Sequence, residues 1–165
     1  MQYQSCAVIL SSVTVSPSGQ IAPGNPLGTL NVSGSLILES RAAMDYELDT
    51  PSTSDMISCG DLALSGQQFS DFHFTWSANF GPGSYPLIDF ESGSGSLGTS
   101  TNGTVDGYPA TLAVQRSTND LVLDVTPEPS TLALLGVGCV GLLGYVGWQR
   151  KQRRHSASHL LENCR

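Results

Sequence analysis

The chain has 165 residues, 13% of them charged, and a formal net charge of −7 from 14 acidic and 7 basic side chains. So few cations exclude a nucleic-acid-binding surface, which needs positive charge to neutralise phosphates. Four cysteines are too few for a disulfide-built scaffold, and 39% apolar residues are too many for a fully disordered chain.

Met1 to Gln20 carries no basic residue, so it lacks the n-region of a secretory signal peptide. Its short apolar run Cys6-Ala7-Val8-Ile9-Leu10 stops at Ser11 and Ser12 and reads as a strand. The expectation, given the C-terminal features described below, is a piece of a longer precursor with further Gly/Asn/Thr-rich rungs and a signal peptide upstream. Turns are expected at Pro17-Ser18-Gly19, Pro23-Gly24-Asn25-Pro26, Gly81-Pro82-Gly83 and Asn102-Gly103. Between them apolar residues alternate with polar ones. Leu30, Val32, Leu36 and Leu38 do so around Gly34, and Met44, Tyr46 and Leu48 against Asp45, Glu47 and Asp49. Phe72, Phe74 and Trp76 alternate likewise, as do Leu112 and Val114, then Leu121, Leu123 and Val125. A period of two with one polar face is the half-buried strand pattern, and these apolar residues are expected to point inward. Ser92 to Ser100 reads as a mobile Gly/Ser loop.

Gly34-Ser35-Leu36-Ile37-Leu38 matches Gly60-Asp61-Leu62-Ala63-Leu64 at an offset of 26, a spacing that suits stacked rungs. Ile21 to Val32, with Pro23-Gly24-Asn25-Pro26-Leu27-Gly28-Thr29-Leu30, resembles the repeats of autotransporter-type passenger proteins. That resemblance implies right-handed parallel β-helix rungs. Gly83 to Phe90 resembles the strand that follows the last rungs in surface proteins of the sorting class named below. An antiparallel β-sandwich is the alternative, with Asn102-Gly103 and Asp106-Gly107 as its hairpin signals.

The charge is uneven. Residues 1–149 hold Arg41 and Arg116 against thirteen acids, a net of −11, whereas residues 150–165 hold five cations and Glu162, a net of +4. Between them Ser130 to Trp148 is uncharged. Nineteen residues make a helix of roughly 28 Å, enough to cross a hydrocarbon core of about 30 Å. Tyr145 and Trp148 suit the interface, and the basic cluster at Arg150, Lys151, Arg153 and Arg154 places the C-terminus in the cytoplasm. Just ahead, Pro127 and Pro129 hold Glu128 in an extended stub.

Residues 127–154 resemble a PEP-CTERM sorting signal: Pro127-Glu128-Pro129, a Gly-rich apolar span and an arginine cluster. The resemblance implies a bacterial protein recognised by exosortase, a membrane-embedded cysteine protease or transpeptidase. In that role Pro127, Glu128 and Pro129 are the recognition element, and Arg150, Lys151, Arg153 and Arg154 retain the precursor in the membrane. The tail His155 to Arg165 departs from such signals, which usually stop soon after the arginines.

Catalytic motifs are sparse. The sequence has no Gly-x-Ser-x-Gly elbow, no P-loop and no dinucleotide fingerprint. His73 stands alone on a polar strand face, and His155 and His159 lie in the tail. Asp45, Glu47 and Asp49, with Asp55 nearby, form the one carboxylate cluster; a calcium site is weighed there against a solvated strand face. Cys6 and Cys59 are the one pair that the topology leaves in the same compartment.

The expected organisation is an all-β extracytoplasmic region at 1–125, right-handed β-helix rungs with a strand cap. A sorting signal at 126–154 contains a transmembrane helix at 130–148, and 155–165 is a cytoplasmic tail. The expected function is that of an exported surface or matrix protein, structural or adhesive, not an enzyme and without cofactor or metal. Its partners would be exosortase, the bacterial membrane and an exopolysaccharide matrix, with no nucleic acid. The precursor would sit in the inner membrane, with its N-terminal region outside, before release to the surface. The alternative is a permanently anchored carbohydrate- or protein-binding module.

Overall fold

A computed structural model describes residues 5–24 and 26–127 of the chain. Each circuit of the backbone lays down one long strand and one short one. β1 (Ser5–Ile9) and β2 (Val13–Val15) form the first long side and β3 (Gln20–Ile21) the first short side. β4 (Gly28–Leu38) and β5 (Ala43–Leu48) repeat the pattern, as do β6 (Met56–Ser65) and β7 (Phe72–Trp76). β8 (Gly83–Ser96) begins a further circuit. β9 (Asn102–Val105), β10 (Tyr108–Gln115) and β11 (Asp120–Val125) then close it as an antiparallel meander. The long strands pair in parallel in the order β1-β4-β6-β8, with β2 also on β4, and the short ones in the order β3-β5-β7. The result is an all-β solenoid of about three turns. Those parallel ladders exclude the sandwich alternative for the coil.

The offset of 26 is a physical register. Ser35, Leu36, Ile37 and Leu38 lie directly against Asp61, Leu62, Ala63 and Leu64. Identical side-chain types therefore stack in columns, Leu36 on Leu62 and Leu38 on Leu64, each buried at about 1.5–3 kcal/mol. Leu30, Ile57 and Ile88 form another inward column, and Val32, Cys59 and Phe90 the next. On the short side Met44 stacks on Phe72 and Tyr46 on Phe74. The register slips between Val32 and Ser35, where the β1–β2 break comes closest. A Cβ on Gly34 would lie 2.7 Å from the Ser12 hydroxyl, so this bend needs glycine.

Two buried polar side chains hold the corners. Asp55 (2% exposed) accepts the backbone N–H of Gly28 at 2.7 Å and of Glu47 at 2.9 Å, tying successive circuits together. Gln67 (0% exposed) donates to the carbonyls of Leu38 and Glu39 and accepts from the Ser65 amide. Both answer backbone groups that the turning chain leaves outside the ladders.

Three expectations need correction. Trp76 is 46% exposed, because β7 is the edge of its sheet and among the described residues no fourth short strand stacks on it; Phe74 on the same strand is half-buried and packs against the core as expected. A 3-10 turn at Phe69–Asp71 leads into β7. The Gly/Ser stretch is ordered as strand through Ser96, because small residues lie flat against β6 from Asp61–Ser92 to Ser65–Ser96. Asn102-Gly103 lies in β9 and is no turn. Gly103 is required there because a Cβ would strike the Phe69 ring at 2.1 Å. The hairpin turn is Asp106-Gly107, with φ of 49° and 81°, the geometry of a two-residue primed turn. The strand expected at Cys6–Leu10 is found as Ser5–Ile9, and the turn at Pro17-Ser18-Gly19 is found with Ser18 at φ 66°.

The expected membrane span at 130–148 and the tail at 155–165 lie outside the described residues. Among the described residues no helix is long and apolar enough to cross a membrane.

Candidate functional site

The chain leaves the solenoid at the end of β11, an interior strand. β11 pairs with β10 from Val125–Ala110 to Asp120–Gln115, and with β8 on its other side from Val125–Gly83 to Asp120–Asp89. Leu121, Leu123 and Val125 are buried between them. The Thr126 amide then donates to the Pro109 carbonyl at 2.9 Å, and its hydroxyl reaches the same oxygen at 3.3 Å. Pro127, the first of the expected sorting residues, is exposed directly after this anchor. Glu128, Pro129, Arg150, Lys151, Arg153 and Arg154 lie outside the described residues.

The carboxylate cluster does not converge. Asp45 on the outer face of β5 receives the His73 Nδ1 contact at 2.9 Å and a hydrogen bond from the Gln20 side chain. His73 is thus partnered, not alone. Asp49 lies past the end of β5 and is bound by Ser77, by Asn79 at 2.9 Å and by Thr53 at 2.8 Å, with Ser77 the largest cause of a lowered carboxyl pKa. It is buried, not on a solvated face, and Asp55 is committed to backbone amides. Among the described residues no group of three metal-ligating side chains is placed to hold an ion. Asp45, Glu47, His73 and Thr75 do line an open groove of about 460 Å³ against the Ala22–Gly24 loop.

Cys59 is a free thiol in the core, pushed up to about 11 by burial first and then by Asp89 and Asp61. It cannot reach Cys6. Cys6 pairs with Thr29, whose next neighbour is Met56, so two strand spacings of about 4.8 Å separate the ladders, beyond the reach of a disulfide. Tyr46 carries the buried hydroxyl without a hydrogen-bond partner among the described residues. Burial, then Asp55 and Cys59, raise its pKa well above the ordinary phenol range.

Period-two alternation carries no signal for the corner roles of Asp55 and Gln67, whose work depends on which corner they turn. Asp61 was also missed; it bridges Ser35 and Ser92 on the outer face across three successive long strands. No curated protein matches the chain. The family model described as the PEP-CTERM protein-sorting motif matches residues 125–151, starting on the buried last residue of β11. These residues therefore carry the PEP-CTERM protein-sorting motif, the tag by which exosortase sorts a membrane-associated precursor to the cell surface.

Proposed function

We propose that the chain is a structural or adhesive surface protein, a β-solenoid module exported across the bacterial inner membrane and processed by exosortase at or near Pro127–Ser130. In this reading Pro127, Glu128 and Pro129 are recognised, residues 130–148 span the membrane, and Arg150, Lys151, Arg153 and Arg154 hold the C-terminus inside. The observation that carries it is the sorting motif following the last cap strand without a linker. The charge contrast supports the orientation, since the basic end stays in the cytoplasm while the acidic region is exported.

The coil is right-handed in this account, as parallel strand–crossover–strand connections overwhelmingly are. That hand would fit the likeness to autotransporter-type passenger repeats. A non-catalytic role is supported by how the carboxylates are used: Asp49 and Asp55 hold corners, and Asp61 holds a strand ladder. The matrix polymer is proposed as the ligand surface's neighbour. Surface labelling of intact cells tests the reading. The solenoid should become accessible in a strain with exosortase and stay inaccessible in one without it; equal accessibility would contradict it.

A second reading is a permanently anchored binding module. The groove beside Asp45, Glu47 and His73 favours it, as an open polar recess suited to carbohydrate hydroxyls or a basic peptide. Retention of the solenoid in the membrane fraction beside active exosortase would select this reading.

A further inference from the structure

We propose that Trp76, Phe80 and Tyr108 form an aromatic corner that seats on the lipid headgroup layer while the precursor is held at the membrane. This rests on the reading above in which residues 130–148 anchor that precursor. Trp76 is 46% exposed at the end of β7, whose outer edge has no partner among the described residues. Its ring centre lies 6.3 Å from that of Phe80, and Phe80 lies 6.3 Å from Tyr108. Phe80 and Tyr108 are half-buried against the core, and Pro82 beside them is exposed. The corner is pinned from behind. The Ser77 hydroxyl and the Asn79 amide donate to Asp49. The Tyr85 hydroxyl donates to the Gly81 carbonyl at 2.7 Å and accepts the Gly81 N–H at 3.2 Å. A surface held in this way loses little conformational freedom on docking.

The occupant follows from where the chain leaves the solenoid. The Thr126 amide is bonded to Pro109, the neighbour of Tyr108, and Val125 pairs with Gly83, three residues after Phe80. From Thr126 to Ser130, the first residue of the uncharged stretch, four residue steps reach at most about 14 Å. In the anchored precursor the corner therefore stays within that reach of the lipid surface. Trp and Tyr rings, apolar with one polar group each, favour the boundary between headgroups and hydrocarbon. The depth follows from the strand edge. The unpaired N–H and C=O groups of β7 would find no partner in hydrocarbon, so the corner stops at the headgroups. Charge is no part of the attraction. Asp106 and Asp124 flank the corner in the described chain, and no Lys or Arg accompanies them. Three rings alone make a weak contact, but the tether makes it intramolecular and raises the effective concentration.

The chain has two tryptophans, so single-tryptophan variants test the corner and the anchor separately. Full-length Trp148→Phe, which keeps Trp76, and Trp76→Phe, which keeps Trp148, are reconstituted in phosphatidylcholine vesicles. The acyl chains are brominated either near the headgroup or near the bilayer centre, and tryptophan emission is read. The shallow bromines should quench Trp76 about twofold and the deep ones less, as expected of a ring at the interface. The quenching should persist at roughly 0.5 M salt, where charge attraction is screened. A quenched Trp148 beside an unquenched Trp76 overturns the inference and leaves membrane anchoring intact. If neither is quenched, the anchored reading fails and this one with it. Stronger quenching of Trp76 by the deep bromines, or its loss in salt, contradicts apolar docking at headgroup depth. A Trp76 shielded from acrylamide but untouched by brominated lipid would assign the corner to a protein partner or a second copy, and overturns the inference as well.

Discussion

Asp55 does with one side chain what a stretch of ladder would otherwise do, accepting two backbone amides from different circuits. Truncating it leaves both donors buried without an acceptor. Asp55→Ala should therefore cost about 2–4 kcal/mol of unfolding free energy, read from urea denaturation; a loss under about 0.5 kcal/mol would show that water replaces it. Asp49 makes a pH prediction. Its donors, Ser77 first and then Thr53 and Asn79, lower its pKa in the folded state from the ordinary 3.8. A depressed folded pKa stabilises fully above the unfolded value and loses that contribution as pH falls through the folded one. Stability should thus decline below about pH 4, and Asp49→Asn should flatten that part of the profile. An identical acid limb in the variant would assign the decline to other carboxylates. Neither role was legible in the sequence. The alternation put Asp49 on the strand face, but β5 ends at Leu48 and the chain turns there. Asp55 has no periodic neighbour at all.

At the scale of the element, period two was a sufficient guide along β4, β5 and β6, but in β8 and β11 the adjacent pairs Leu87–Ile88 and Leu121–Val122 are buried together, beside the register shift between these strands. Met44, Tyr46 and Leu48 point inward as their spacing requires, and the 26-residue offset appears as a ladder register. It failed at Trp76 because burial there depends on a further short strand, which no local pattern encodes. Two Asx-Gly pairs likewise look alike in sequence, and packing of Phe69 on Gly103 leaves the turn to Asp106-Gly107. The first coil has its own consequence. Residues 1–38 contain no charged side chain, Val8 and Leu10 are 59% and 84% exposed, and nothing among the described residues pairs with the outer edge of β1. Such an edge lacks the lysines or prolines that discourage sheet-to-sheet pairing. Leu10→Lys should reduce self-association in sedimentation velocity without lowering the melting temperature; unchanged association would move the sticky surface elsewhere.

Across the whole molecule, the design is an acidic solenoid closed at one end by an antiparallel cap, with the sorting motif issuing from the cap's interior strand. Charge separates the two parts of the chain, −11 over residues 1–149 and +4 over residues 150–165, the contrast on which the proposed membrane orientation rests. Stacked circuits need only local contacts with their neighbours, which suits a module displayed outside the cell. The central claim is that exosortase removes the C-terminal segment. The direct measurement is retention of an epitope tag fused after Arg165, compared by immunoblot in isogenic strains with and without the enzyme. The account predicts that the solenoid loses the tag only where exosortase is present. Equal retention of the tag in both strains would contradict it.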